Sequence, residues 1–360
     1  MRASSSETGA GLPLDHRAGL VLEVGPVSQS FALPVLAEVT RSGFVESRHV
    51  GSAVALPADG TRAIAAGTPD RAVLPRSANK PLQAVGMLRA GLDVDDELLA
   101  VVAASHSGED RHLALVRRLL AQAGLHEYDL RNPPDLPIGE QPRLRLLRSG
   151  GGPDRLHQNC SGKHAGMLAT CVAAGWPTAS YLDPQHPLQR RLRRTAEELT
   201  GEPVADTAVD GCGAPLFALS LTGLARAFGR LAAAEPTSPE GRVATAMRRY
   251  PEVVGGAGRD VTALLAGVPG LVAKDGAEGV YAAGLADGSG CAVKIEDGTA
   301  RARVPVMVVL LRSLGCSGPA LDDLASAPVL GGGAVVGEVR AVEFDTGRSP
   351  GTGSGGLTKS

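Results

Sequence analysis

The sequence predicts an α/β protein whose antiparallel sheet of about five strands is built from both chain ends and flanked by helices. Strand patterns occupy residues 34–56, and they return over residues 271–296 and 334–344. The stretch between them, residues 77–266, has the apolar spacing of helices. A sheet closed by the two ends would leave this block as an inserted, mainly helical subdomain.

The first elements follow from local patterns. Residues 34–56 contain two β-rich runs separated by Arg-Ser-Gly at 41–43, which predicts a hairpin. Residues 112–123 place leucine and valine on one helical face and stop at a glycine. Residues 187–199 repeat that apolar spacing, so both segments are predicted to be helices.

The second half returns to strands. Residues 271–296 read as strands, with Asp-Gly turns at 287–288 and 297–298. A helix is predicted over about 302–314, with a proline near its start, and a last strand over 334–344.

These elements predict a cleft where the sheet meets the helical block. The predicted units are a disordered tail at 1–17, an α/β subdomain at 34–76 plus 267–345, a helical subdomain at 77–266 and a disordered tail at 346–360. Both tails are rich in small polar residues, which cannot bury much surface. Small-molecule sites are common in clefts between such units.

Composition excludes several classes of function. The chain has 360 residues, 43% hydrophobic but only 3% aromatic, and a formal charge of −2. Nucleic-acid binding is not expected, because basic blocks and stacking side chains are scarce. Membrane association is not expected either, because the longest apolar run, residues 306–311, is too short to span a bilayer. No secretory signal is visible and the five cysteines are odd in number, so a cytoplasmic protein with free thiols is predicted.

Ser77 and Lys80 are the first candidate catalytic pair. A serine hydroxyl becomes a good nucleophile when a base takes its proton, and a neutral lysine can be that base. Residues three apart share a helix face, although Pro81 disfavours helical geometry at Lys80. The alternative is a helix-capping serine beside a surface lysine.

Two further motifs follow in a definite order. Ser105-His106-Ser107 comes after an apolar helix, and Lys274-Asp275-Gly276 lies on the first strand after the helical block. The order S-x-x-K, S-x-S, K-x-G is that of the penicillin-recognising serine hydrolases, which carry S-x-x-K, S-x-N and K-T-G. His106 is a candidate site residue because it lies between two candidate serines.

Two glycine-rich cysteine motifs predict either a metal site or two inert buried thiols. Cys160 belongs to NCSGKHAG at the start of a helix, and Cys212 belongs to DGCGAP at a tight turn. Two thiols with a nearby third ligand can hold zinc. Spacing alone nominates His164 as that ligand, since a protonated lysine cannot bind metal.

These motifs together resemble the asparaginases of the Rhizobium etli type, over roughly residues 35–345. The resemblance rests on AEVTRSGFVESRHVGSAVAL, RSANKPLQA, ASHSGED, NCSGKHAGMLA, DGCGAP and AKDGAEGVYA, in that order. NCSGKHAGMLA and DGCGAP are the long and specific ones. The family implies a fold like that of serine β-lactamases and glutaminases, a homodimer, and L-asparagine as substrate.

The resemblance also assigns roles. It makes Ser77 the nucleophile with Lys80 as its partner, and it makes Ser105, less readily Ser107, a second serine paired with Lys274. It makes Cys160, Lys163 and Cys212 the ligands of a zinc ion, so Lys163 takes the place that spacing gave to His164. Candidate substrate-binding residues are Arg76, Asp210, His106 and His164.

The predicted reaction is hydrolysis of L-asparagine to L-aspartate and ammonia through an acyl-enzyme on Ser77, with zinc orienting the substrate. One alternative is a glutaminase or another serine hydrolase on the same fold, which NCSGKH and DGCGAP disfavour. The other is a non-catalytic zinc-binding scaffold, in which Ser77 would be dispensable.

Overall fold

A computed structural model describes residues 33–343, so the tails predicted at 1–17 and 346–360 lie outside the described residues. The strands are β1 (Val35–Arg41), β2 (Phe44–Leu56), β3 (Ile64–Ala66), β4 (Ala72–Val73), β5 (Asp206–Val209), β6 (Pro215–Ser220), β7 (Val272–Asp275), β8 (Val280–Gly284), β9 (Gly290–Ile295), β10 (Ser326–Gly331) and β11 (Ala334–Ala341). The α-helices are α1 (Lys80–Arg89), α2 (Asp96–Val102), α3 (Asp110–Gln122), α4 (Glu140–Arg148), α5 (Ser161–Ala173), α6 (Pro187–Thr200), α7 (Leu221–Ala233), α8 (Pro239–Arg249), α9 (Pro251–Val254), α10 (Asp260–Gly267), α11 (Ala300–Ser313) and α12 (Pro319–Leu324).

The main sheet combines strands from both ends of the described chain, as the sequence predicts. Its order is β10-β11-β1-β2-β9-β8-β7, with β3 paired to β2. All of these pairings are antiparallel. The predicted number of about five strands is wrong, because the sheet has eight. Three features were not predicted. Strand β3 is only three residues long, and the turn that separates β7 from β8 carries no predicted signal. Strand β10 contains Pro328, which sequence patterns count against a strand and which is tolerated here because β10 is an edge strand.

The predicted local elements are largely confirmed. Ser42 and Gly43, both at positive φ (49° and 82°), form the two-residue turn of the β1–β2 hairpin. The helices predicted at 112–123 and 187–199 are α3 and α6, and Gly201 ends α6 in the left-handed conformation. The division into two subdomains stays a prediction. The 77–266 segment also holds β5 and β6, which form a small second sheet with β4.

The two faces of the main sheet are covered by α7 and α11. Both helices pack against β2, β8 and β9. Neighbouring residues of a strand point to opposite faces. On β9, Gly290 lies against Ala225 of α7, whereas the Cys291 sulfur contacts the Met307 sulfur of α11 at 3.5 Å, so the two helices lie on opposite faces.

None of the helices within residues 33–343 combines the length and the hydropathy that crossing a membrane requires.

The close approach of α7 to the sheet generates a stability prediction. A Cβ added at Gly290 would lie 2.0 Å from the Ala225 carbonyl oxygen, so a side chain there must push α7 off β9. We expect Gly290→Ala to lower the free energy of unfolding by about 1–3 kcal/mol, as overpacked cores do. Urea unfolding monitored by circular dichroism measures this.

Gly152→Ala is the matched control, because nothing lies within 4 Å of a Cβ at that position. Its free energy of unfolding should stay within about 0.5 kcal/mol of the wild-type value. Equal effects of the two substitutions would contradict the steric explanation.

Candidate active site

Ser77 lies in a tight turn that places it at the start of α1. Residues Arg76–Asn79 form a single 3₁₀ turn, and α1 begins at Lys80, with Pro81 in its first turn where proline is tolerated. Arg76 has a φ of 50°, a strained conformation for a residue with a side chain. Such strain persists only where the surroundings enforce it, and it concentrates at functional sites.

The K-x-G segment lies directly against this turn. A Cβ at Gly276 would be 2.6 Å from the Pro75 carbonyl oxygen and 3.4 Å from the Ala78 nitrogen, so only glycine lets the end of β7 approach so closely. Strand β7 is an edge of the main sheet. The first and third predicted motifs therefore lie side by side at that edge.

The Lys80 amine is buried and contacts the second motif. Its Nζ donates to the Ala104 carbonyl at 2.6 Å, to the Ser105 Oγ at 3.0 Å and to the Asn159 carbonyl at 3.4 Å. In the described residues Lys80 is thus hydrogen-bonded to Ser105, not to Ser77. The catalytic pairings Ser77–Lys80 and Ser105–Lys274 stay predictions.

The hydroxyls of Ser105 and Ser107 have different partners. The Ser107 Oγ donates to the Gly255 carbonyl at 3.0 Å, which ties it to the loop after α9. Ser105 points to Lys80 instead. Of the two serines, Ser105 is the one whose hydroxyl reaches a candidate catalytic group.

Lys274 is fully buried beside a carboxylate. Its Nζ lies 2.5 Å from Asp275 Oδ1 and also donates to the Asp275 carbonyl at 2.8 Å. Burial lowers the pKa of Lys274 to about 8; Asp275 opposes this, and the charges of Lys80 and Arg259 add to it. An amine with such a pKa is partly neutral near pH 7, as a general base must be.

The structure brings the two cysteine motifs together. Cys160 immediately precedes α5, Lys163 lies in its first turn, and Cys212 lies in the β5–β6 turn. The Lys163 Nζ lies 3.0 Å from the Cys212 sulfur, and that sulfur lies 3.6 Å from Asp210 Oδ2. All three of Cys160, Lys163 and Cys212 are buried.

The cluster is arranged to hold a thiolate beside an ammonium. Hydrogen bonding from Cys160 lowers the pKa of Cys212 to about 5 against the effect of burial, and Lys163 contributes in the same direction. The same hydrogen bond, with burial, raises the pKa of Cys160 to about 12. Burial disfavours a charged Lys163, but the two sulfurs and Asp210 outweigh it and raise its pKa.

This donor set fits a zinc ion. Two sulfurs and an amine converge in one buried place, and sulfur and nitrogen are the ligands that zinc prefers. Within residues 33–343 no group of three or more His, Cys, Asp and Glu side chains is arranged to hold a metal. The predicted set differs from such groups because its third member is a lysine.

His164 is buried and is hydrogen-bonded to Tyr181. Its Nδ1 lies 2.7 Å from the Tyr181 hydroxyl, which also accepts from the Arg131 backbone N–H at 3.0 Å. Its Nε2 is buried and has no partner among the described residues. The nitrogen that lies against the Cys212 sulfur is the Lys163 Nζ, which favours Lys163 over His164 as third ligand.

His106 is held by a hydrogen bond and by stacking. The Ser161 Oγ donates to the Leu156 carbonyl at 2.8 Å and therefore accepts from His106 Nε2, also at 2.8 Å. The ring stacks on His112 with centroids 5.2 Å apart. Burial, together with His112 and Lys80, lowers the pKa of His106 well below its ordinary value, so the ring is neutral.

Arg76 and Asp210 connect the nucleophile turn to the cysteine cluster. The Arg76 Nε lies 2.8 Å from Asp210 Oδ1, and the Arg76 Nη1 lies 3.6 Å from Glu278 Oε1. Burial raises the pKa of Asp210, but Lys163 and Arg76 outweigh this and keep it below the ordinary value. The pair thus presents a cation and an anion side by side near Ser77.

Sequence reasoning missed three side chains that organise this site: Tyr181, Arg259 and Asp275. Asp275 lies inside the K-x-G motif and could have been found there. A compositional signal was also available, because only five of the 36 Lys and Arg residues are lysines. Three of those five, Lys80, Lys163 and Lys274, are buried. Tyr181 and Arg259 belong to no sequence motif, and only the fold brings them to the site.

A comparison with known families gives a match that spans the described chain. The sequence profile described as L-asparaginase II matches residues 37–341, which include every predicted site residue. No curated protein matches this chain. A match over well more than half of the chain, with the motifs gathered at one site, establishes kinship: the chain belongs to the L-asparaginase II family.

Proposed function

We propose that this protein hydrolyses the side-chain amide of L-asparagine to L-aspartate and ammonia. The observation that carries the proposal is the burial of the Lys80 and Lys274 amines beside the Ser77 turn. Buried amines are costly unless they are paired or used. An amine whose burial lowers its pKa, as at Lys274, is typical of catalytic sites. Family membership supports an amidohydrolase.

In the proposed mechanism Ser77 attacks the amide carbon and Lys80 accepts its proton. Backbone N–H groups of the 3₁₀ turn stabilise the oxyanion. The proton that Lys80 has taken passes through Ser105 to the leaving ammonia. Lys274, as the neutral amine of the second pair, then takes a proton from the water that hydrolyses the acyl group and returns it to Ser77. The hydrogen bond between Lys80 and Ser105 offers a path for a proton between the two serine–lysine pairs.

The substrate head group would bind beside Arg76 and Asp210. An amino acid carries a carboxylate and an ammonium, and this pair offers the complementary charges. The buried, unpartnered Nε2 of His164 offers a further polar atom for the head group, and His106 anchors the chain next to Ser105 through its hydrogen bond to Ser161. Asparagine places its amide one methylene nearer to its head group than glutamine does, so the fixed head group selects the shorter side chain.

Zinc is part of the proposal. Cys160, Lys163 and Cys212 would hold it, with Lys163 as the neutral amine. When bound, zinc supplies a positive charge that orients the substrate head group, while Ser77 remains the nucleophile. A homodimer, the Rhizobium etli type and a serine β-lactamase-like fold also belong to the proposal.

The function is tested by ammonia release from a panel of amides. We expect turnover of L-asparagine to exceed that of L-glutamine by roughly a hundredfold, because misplacing the amide by about one methylene costs that much. Lactams such as nitrocefin should not react. Ser77→Ala should lower kcat for L-asparagine by several orders of magnitude.

Ser149→Ala, at an exposed serine after α4, is the control and should leave kcat unchanged. Equal or faster turnover of L-glutamine would move the protein to the glutaminase alternative. A folded Ser77→Ala variant with more than about a tenth of wild-type activity would remove Ser77 from its role.

Ser105 and Ser107 form a second, matched test. Ser105→Ala removes the hydroxyl that Lys80 contacts, so we expect kcat to fall by about 10²–10³-fold, the scale of lost proton transfer. Ser107→Ala removes only a hydrogen bond to Gly255, so it should lower the free energy of unfolding by about 1 kcal/mol with little effect on kcat. Steady-state kinetics and urea unfolding separate the two results, and the reverse order would assign the role to Ser107.

Metal content tests the zinc site. Purified protein should carry about one zinc per chain by atomic emission, and Cys212→Ala should lose most of it, because one thiolate ligand is gone. Cys171→Ala is the control, since Cys171 is a buried thiol outside the cluster. Equal zinc content in both variants would show that the metal, if bound, lies elsewhere.

A further inference from the structure

A buried ionic cluster lies behind Lys274 and is not used by the mechanism above. At its centre is the Asp275 carboxylate. Its Oδ1 lies 2.5 Å from the Lys274 Nζ, and its Oδ2 lies 2.6 Å from a nitrogen of Arg259 and 3.1 Å from one of Arg303. One carboxylate is therefore shared by three cations.

Arg259 differs from Arg303 in what else it contacts. Its second terminal nitrogen donates to the Ser105 carbonyl at 3.3 Å. Arg303 instead donates to the Gly276 carbonyl and lies over the Tyr281 ring at 5.6 Å. Arg259 thus connects the segment that carries Ser105 to the strand that carries Lys274.

The planar fork of arginine suits this bridging position. Two nitrogens of one rigid group fix both the distance and the angle between their acceptors, which a lysine ammonium cannot do. Arg259 immediately precedes α10, and its backbone takes no part in the strand or in the Ser105 loop. Its contribution to the site is therefore made by the guanidinium.

The charge balance gives Arg259 a second effect. An unshared Asp275 carboxylate would hold the Lys274 amine as an ammonium, because an opposite charge at contact favours the charged form. Arg259 and Arg303 neutralise that carboxylate. The charged or titratable groups around Lys274 are Asp275 on its own strand, Lys80 on α1, Arg259 and Asp260 at the start of α10, Tyr281 on β8 and Arg303 on α11.

We propose that Arg259 is a positioning residue for the amide hydrolysis proposed above: it shares the Asp275 carboxylate and holds the Ser105 backbone, so that Lys274 serves the site as an amine rather than as half of an ion pair. This inference rests on the proposed function for its kinetic consequences. Its structural consequence, the protonation of Lys274, can be read without any substrate.

The kinetic test is the pH profile of kcat/KM. Removing the guanidinium leaves Asp275 freer to stabilise the Lys274 ammonium, so the amine needs a higher pH to become neutral. Arg259→Met should move the acid limb upward by about one pH unit, the scale of a charge at this distance. At pH 7 kcat/KM should fall about tenfold and should recover toward the wild-type value at higher pH.

Asp275→Asn should shift the same limb in the opposite direction. It removes the negative charge that favours the Lys274 ammonium, so the acid limb moves to lower pH. Arg259→Lys keeps the positive charge but loses the planar guanidinium that contacts two acceptors. The acid limb of its kcat/KM profile should therefore stay within about 0.3 pH unit of wild type, while kcat falls because Ser105 is held less well. If Arg259→Met does not fold, Arg259→Gln, which also removes the charge, carries the same expectation.

Arg312→Met is the matched control, because Arg312 pairs with Asp322 on the exposed surface and should leave the profile unchanged. A folded Arg259→Met variant whose acid limb coincides with that of wild type would overturn the proposal, even if its kcat or Tm were lower. A purely structural role would lower stability without moving the limb.

The substrate-free test is a titration of lysine side chains by NMR with ¹³C label at Cε. The chain has only five lysines, and Lys274→Arg identifies the resonance of Lys274. Its titration midpoint should rise in Arg259→Met and fall in Asp275→Asn. If wild type released no ammonia from L-asparagine while these shifts occurred, the proposed function would fail and the effect of Arg259 on the protonation of Lys274 would stand. Unmoved midpoints in an active enzyme would overturn the role of Arg259 alone.

Discussion

The site is dominated by one constraint: three lysine amines are buried in it, and each must be satisfied there. A buried charge without a partner is among the most destabilising features a fold can contain. Each amine is stabilised by a different kind of partner. Lys80 donates to two carbonyls and a hydroxyl, Lys163 lies against a sulfur, and Lys274 lies against a carboxylate. The partners of these three amines account for most of the polar groups around the site.

The same constraint explains why glycine and strain concentrate near Ser77. The segment that carries Lys274 can only approach the Ser77 turn because Gly276 has no side chain to collide with Pro75. Arg76 takes a strained conformation at the start of that turn and is held there by Asp210. Because Asp210 also faces the Cys212 sulfur, the turn and the cysteine cluster are fixed relative to each other.

Much of the fold was predictable because it depends on local periodicity. The β1–β2 hairpin, α3, α6 and the strands from both chain ends follow from patterns within a dozen residues. The number of strands was not predictable in this way. Strand β3 is too short to show alternation, and β10 contains a proline that only an edge position tolerates. Both are stabilised by their neighbours in the sheet rather than by their own sequence.

The sequence by itself determined which residues are candidates for the chemistry. The serine–lysine, S-x-S, K-x-G and cysteine motifs were all visible, and the structure gathers them at one edge of the sheet. Only the tertiary structure decided which of these side chains contact each other. The three-residue spacing predicts that Lys80 contacts Ser77, yet the Lys80 amine is hydrogen-bonded to Ser105. Arg259 forms an ion pair with Asp275, and no sequence motif predicts that contact. The physical reason is that spacing reports neighbours within one element, whereas a buried charge takes its partners from whatever elements pack around it.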